Sequence, residues 1–112
     1  MKLPTAEGVL VEPAKVRDYL LSREHPVGRY KAVFFESLGY SSDAWQQLEA
    51  DLRALAVVGE ATVGNQTKYG QKYEVHGTLT GPSGRAAVVT VWIVRWGEDA
   101  PRFVTAFPGE KT

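Results

Sequence analysis

The sequence predicts an α+β fold, with N-terminal helices packed on a C-terminal antiparallel β-meander of three to four strands. Three observations carry that prediction. Amphipathic helical patterns are confined to the first half, up to about residue 57. From Lys68 to Pro108 the pattern switches to alternation broken by turn residues. No strand–helix–strand alternation occurs, so a parallel doubly wound sheet is not expected. At 112 residues the chain reads as a single domain over 1–112, with a helical part at about 13–57 and a meander at about 68–108.

Val9-Leu10-Val11 is a short extended lead-in to Pro13, a residue suited to the first helical position. Ala14–Ser22 then places Val16, Tyr19 and Leu20 on one helical stripe. The segment from Glu24 to Gly28 breaks that helix, because the residue before Pro26 is pushed out of helical geometry. Arg29–Leu38 restarts with Tyr30, Val33, Phe34 and Leu38 as the expected stripe and stops at Gly39. Ser41 or Ser42 is the expected cap of a third helix, Asp43–Val57, whose buried stripe is Trp45, Leu48, Leu52, Leu55 and Ala56. Gly59–Gln71 reads as a polar loop holding one strand around Ala61–Gly64.

The meander is the distinctive part. Lys72–Thr80 alternates, Gly81-Pro82-Ser83-Gly84 turns, and Arg85–Trp96 is apolar on both faces. Such a strand must be covered on both faces or line a groove. Gly97–Ala100 turns again and Pro101–Phe107 closes the sheet. The first turn sets Thr80 opposite Arg85, while the second suggests Arg95 opposite Arg102. One face then carries Tyr73, Val75, Leu79, Val88, Thr90, Trp92, Phe103, Thr105 and Phe107, an aromatic and hydroxyl-bearing surface expected to stay open for a ligand. Val89, Val91, Ile93, Val104 and Ala106 lie on the other, expected to pack on the helices. A slip of one residue exchanges the faces of the last strand.

Composition narrows the function classes. Thirteen basic and thirteen acidic residues give a net charge of 0, without the basic surplus of a nucleic-acid binder. The distribution is uneven. Lys15, Arg17, Arg23, Arg29 and Lys31 form a mildly basic run, and Glu36, Asp43, Glu49, Asp51 and Glu60 an acidic one around the third helix. The first residues are interrupted by proline and glutamate, so neither a signal peptide nor a membrane span is expected. With no cysteine there is no disulfide framework and no thiolate metal site, and the cytoplasm is the expected compartment.

Only His25 and His76 can supply imidazole chemistry. His25 sits among Arg23, Arg29 and Lys31, where cations can hold a phosphate, or it is a loop histidine bonded to backbone at a helix start. His76 beside Glu74 reads as a strand-surface residue. Tyr69, Lys72 and Tyr73 combine aromatic and basic groups before a strand, which suits phosphate or base contact as well as strand entry. Trp45, Trp92 and Trp96 read first as core residues. Arg102 and Thr105 can point into a shared cleft. No carboxylates stand at metal-ligand spacing from the histidines, so no metal or other cofactor is expected.

The stretches LLSREHPVGRYKAVFFESLGYS, KYGQKYEVHGTLTGPSGRAAVVTVWIV and PRFVTAFP resemble a family of small bacterial domains of unknown function. Its pattern is HPxGxxKAxFF, then YGxxYxVxGxLxGPxG, then RxVTAYP, and the likeness runs from about Val11 to Pro108. More distantly, helices followed by such a meander resemble the barnase–EndoU–colicin–RelE type of ribonuclease fold, which includes toxin domains. That likeness implies a metal-independent endoribonuclease with His25, Lys31, Arg102 and Thr105 as its catalytic set. Tyr69, Lys72, Tyr73, Trp92 and Phe107 would then contact RNA. Phe107 stands where the closing strand often has tyrosine. In that scheme His25→Ala abolishes cleavage and leaves thermal stability nearly unchanged. The other reading is a non-catalytic binding module, antitoxin- or immunity-like or an accessory domain. It would use the aromatic face and the acidic helix to hold a cognate protein or a second copy of itself.

Overall fold

A computed structural model describes residues 1–109. Helix α1 (Pro13–Lys15) runs directly into a wide π turn, Val16–Leu20, with Pro13 in the first turn as expected. Helix α2 spans Gly28–Ser37 and α3 spans Trp45–Val58. Strands β1 (Glu60–Gln66), β2 (Gly70–Gly81), β3 (Gly84–Arg95) and β4 (Arg102–Pro108) follow as one antiparallel sheet in the order β1-β2-β3-β4. The fold is α+β, with the segment around Ala61–Gly64 supplying the fourth strand.

Two helical expectations shift. Neither Ser41 nor Ser42 caps α3 with its side chain, because Ser42–Ala44 forms a separate 3-10 turn ahead of the helix. The buried stripe of α2 is Gly28, Ala32, Phe35 and Leu38, while Tyr30 and Val33 are 71% and 60% exposed. The small residues Gly28 and Ala32 go with that rotation, and Gly28 lets α2 lie close to the π turn at Tyr19. Gly39, at φ 96, ends α2 in the left-handed region that glycine adopts freely.

Sheet register follows turn length. The tight Pro82-Ser83 turn pairs Gly81 with Gly84 and Thr80 with Arg85, and that register continues to Gly70 opposite Arg95. The longer β3–β4 connection fixes nothing so firmly. Arg102 pairs with Ile93 rather than Arg95, and a bulge at Val104 changes the register between Trp92–Phe103 and Val91–Thr105. Beyond the bulge Ala106 turns inward and Phe107 outward, opposite to the even alternation expected.

The bulge and the helices together invert the expected faces. Val75, Leu79, Val88, Thr90, Trp92, Phe103 and Ala106 are all buried, most of them against Leu48, Leu52, Leu55 and Phe35 of the helices. The aromatic face is the core, because its side chains are the largest apolar surface in the sheet and gain most from burial. Trp92 is 0% exposed and meets the Phe103 ring edge-on at 5.3 Å. Its Nε1 donates to Thr90 Oγ1 at 2.8 Å, and that hydroxyl donates to the Val75 carbonyl at 3.1 Å. The hydroxyl expected to meet a ligand is satisfied inside the core.

Candidate functional site: a cleft between α1 and the bulged edge strand

The extended lead-in pairs with the start of β4, Leu10 N–H donating to the Pro101 carbonyl and Phe103 N–H to the Leu10 carbonyl, both at 2.9 Å. This pairing carries the π turn along the β4 edge. There the bulge presents Val104 and Thr105 in succession, and Tyr19 and Thr105 share a hydroxyl–hydroxyl hydrogen bond of 3.0 Å. The resulting open cleft of ≈ 600 Å³ is lined by Glu12, Ala14, Lys15, Asp18, Tyr19, His25, Val27, Val104 and Thr105.

His25 reaches the cleft from the turn before α2. Ser22 Oγ accepts the N–H groups of Glu24 and His25 at 3.3 and 3.2 Å, and the ring then packs edge-on to Tyr19 at 4.9 Å. His25 Nδ1 accepts two backbone N–H bonds, from Val27 and Gly28, each 3.0 Å. The imidazole therefore does the work of a helix cap, satisfying donors at the start of α2. A nitrogen that accepts cannot carry a hydrogen, so the neutral ring is the Nε2–H tautomer. No buried side-chain nitrogen among the described residues lacks a partner, so Nε2–H is open to solvent.

This geometry changes the role of His25. Its free lone pair is committed to the backbone, and what it offers the cleft is a donor. It is not placed to act as a general base from Nε2. Removing it also has a structural cost. His25→Ala is expected to lower stability by about 1 kcal/mol, the usual worth of a lost cap. His25→Asn, whose side-chain oxygen can accept the same N–H groups, is expected to recover most of it. Urea unfolding midpoints of the two variants check this against the near-zero effect expected of an exposed catalytic residue.

The remaining candidates are dispersed. Lys31 Nζ donates to the Ala106 carbonyl at 2.9 Å and lies 5.5 Å from the Phe107 ring, covering the free edge of β4. Arg102 is held by Glu98 at 3.0 and 3.4 Å, with Glu12 at 3.9 Å. The hydrogen bond from Arg102 holds the Glu98 carboxyl below the usual carboxylate range, with Coulombic attraction acting the same way. Trp92 lies in the core and Tyr73 packs against it, opposite Trp92, so neither reaches the cleft. Tyr69, with Lys68 5.2 Å above its ring, sits at the β1–β2 turn and borders a separate hollow with Ile93 and Arg95. Lys72 stands opposite Ile93 in the middle of the sheet, and Phe107 lies outside on β4. Of the expected set only His25 and Thr105 share the cleft. Tyr19 joins them, although its place on an apolar stripe marked it as core; its phenol was the one signal that it needed a polar partner.

Most of the acidic run is paired within the chain. Glu49 pairs with Arg53, Glu36 with Arg23, Glu60 with the N-terminal ammonium, and Asp51 accepts from Tyr40 and Gln47. Burial and the Asp51 carboxylate push the Tyr40 phenol far up. Among the described residues no three His, Asp or Glu side chains gather as a metal set, and no helix is long and apolar enough to cross a membrane.

A family model described as a domain of unknown function (DUF6883) matches residues 2–110, and the chain belongs to that family. No curated protein and no solved structure matches the chain.

Proposed function

We propose that this DUF6883 domain is a non-catalytic protein-binding module that docks through the bare face of its sheet, with a second copy of itself as the first partner. One observation carries this reading. Strand β3 is apolar on both faces, and the core cluster lies on the side of Val88, Thr90 and Trp92. Away from that side the helical part reaches only the β4 edge, through Tyr19 at Thr105 and Lys31 over Phe107. On the other side stand Ala87, Val89, Val91 and Ile93, with Phe107 beside Val89. Val89 is 5% exposed yet lies outside the contiguous core cluster, between His76 and Phe107 in its cross-strand row. An apolar strip of this kind, rimmed by charge, is typical of interaction surfaces.

The rim supports self-association. Glu60 and His76 continue the Val89–Phe107 row, and Glu74 and Lys72 flank Val91 and Ile93. Both signs are present on a chain of net charge 0, so two copies can meet without repulsion. Stacked sheets bring such strips together about 10 Å apart. In sedimentation velocity the wild type is expected to rise above the 12.3 kDa monomer with concentration. Val91→Glu, at a half-buried position, is expected to weaken association at least about 100-fold without loss of fold. A wild type that stays monomeric at millimolar concentration removes the second copy as partner.

The competing reading is a metal-independent endoribonuclease, and the gathering of His25, Tyr19 and Thr105 in one cleft is what favours it. The engaged Nδ1 of His25 and the internal partners of Lys31 and Arg102 weigh against it. RNA cleavage by wild type in excess EDTA, lost in His25→Asn, would establish it over the binding module.

A further inference from the structure

We infer that the α1–β4 cleft is a binding site for a carboxylate attached to an apolar body, independent of the sheet face. Most polar groups of the cleft are already engaged within the chain. Asp18 accepts two bonds from Arg17, each 2.9 Å, and Glu12 faces Arg102. Lys15 has no carboxylate partner among the described residues, only the Tyr19 ring 5.9 Å from its Nζ. His25 Nδ1 is spent on backbone, leaving Nε2–H. The Tyr19–Thr105 pair uses one of its two hydroxyl hydrogens in its own bond and has the other to give.

The donors left over are thus one ammonium, one imidazole N–H and one hydroxyl hydrogen, while the carboxylates of the lining, Asp18 and Glu12, are paired with Arg17 and Arg102. An ionised carboxylate is acceptor-only and matches that set. The rest of the lining is apolar, with Ala14, Val27 and Val104, so the ligand carries a hydrocarbon portion. A volume of ≈ 600 Å³ lies within the range of small-ligand sites. A dianionic phosphate fits less well, because it brings twice the charge of a carboxylate next to Glu12 and Asp18 with Lys15 as the single cation of the lining. A free carboxylic acid and the C-terminus of a peptide present the same chemistry.

The test is an amide NMR titration with hexanoate, hexanol, inorganic phosphate, and a tetrapeptide ending in leucine, free or C-terminally amidated. Saturable shifts confined to residues 14–28 and 103–106 are expected with hexanoate or the free-acid peptide, and none with hexanol or the amidated peptide. Lys15→Met and His25→Asn are each expected to weaken binding about 10-fold; the asparagine keeps the backbone acceptor, so the fold is retained. Hexanoate binding as well as the peptide identifies a small-acid site, and binding of the peptide alone identifies a C-terminus reader. Equal shifts with hexanol, stronger binding of phosphate, or no saturable shift with any probe would overturn the proposal.

Discussion

Replacing Trp92 with alanine is expected to cost about 3–5 kcal/mol, the range for removing a fully buried aromatic side chain. Small domains have only about 5–15 kcal/mol in total, so this one change takes a large part of the stability. The indole lies at the centre of the helix-covered face, fully enclosed, with Phe103 edge-on to it. It also bonds Thr90, whose hydroxyl bridges to the Val75 carbonyl on β2. Alanine therefore leaves a cavity and an underused hydroxyl in the same place. Trp92→Phe keeps an aromatic ring in place and leaves a much smaller gap, while losing the Nε1–H donor, so it is expected to cost clearly less than alanine, on the order of 1–2 kcal/mol. Urea unfolding of both variants measures the difference. A Trp92→Ala protein with an unchanged midpoint would mean that the aromatic face is not the core, and the bare-face reading would fall with it.

That face is where sequence reasoning and structure part, and the reason is physical. Fold class and the β2–β3 hairpin are legible because Gly81-Pro82-Ser83-Gly84 permits little but a tight reversal, which fixes every pair up to Gly70–Arg95. The β3–β4 connection is longer and leaves register free, and nothing in Arg102–Pro108 announces the bulge at Val104. The face assignment failed on a different ground. Thr90 beside Trp92 looks like a ligand-facing pair when each is considered alone, whereas together they satisfy each other's polar atoms and can be buried. In α2, the large residues Tyr30 and Val33 drew the expected stripe, but the small ones, Gly28 and Ala32, set the contact. The cleft was half legible. His25 and Thr105 are the imidazole and hydroxyl that the ribonuclease-like pattern singles out, while Tyr19 and Lys15 enter only through the path of the π turn along β4.

Gly28→Ala is the second large effect, and its sign runs against propensity. Alanine is favoured over glycine in a helix by up to about 1 kcal/mol, and Gly28 opens α2 with no special backbone angle to protect. The obstacle is space. A Cβ there would sit on the backbone carbonyl oxygen of Tyr19, with the carbonyl carbon and the Tyr19 ring close behind. Backbone cannot swing aside as a side-chain tip can, so α2 or the π turn must move. Overpacking of this kind costs about 1–3 kcal/mol, and the upper end is expected here. The displacement also pulls at two bonds of the cleft, Gly28 N–H to His25 Nδ1 and Tyr19 to Thr105. Tyr19→Phe, which deletes only the second, should then cost less in a Gly28→Ala background than in the wild type. A double-mutant cycle by urea unfolding is expected to give a coupling above about 0.5 kcal/mol. Strict additivity would mean that the glycine contact and the hydroxyl pair are independent. The cleft would then not be held in shape by the approach of α2 to the π turn.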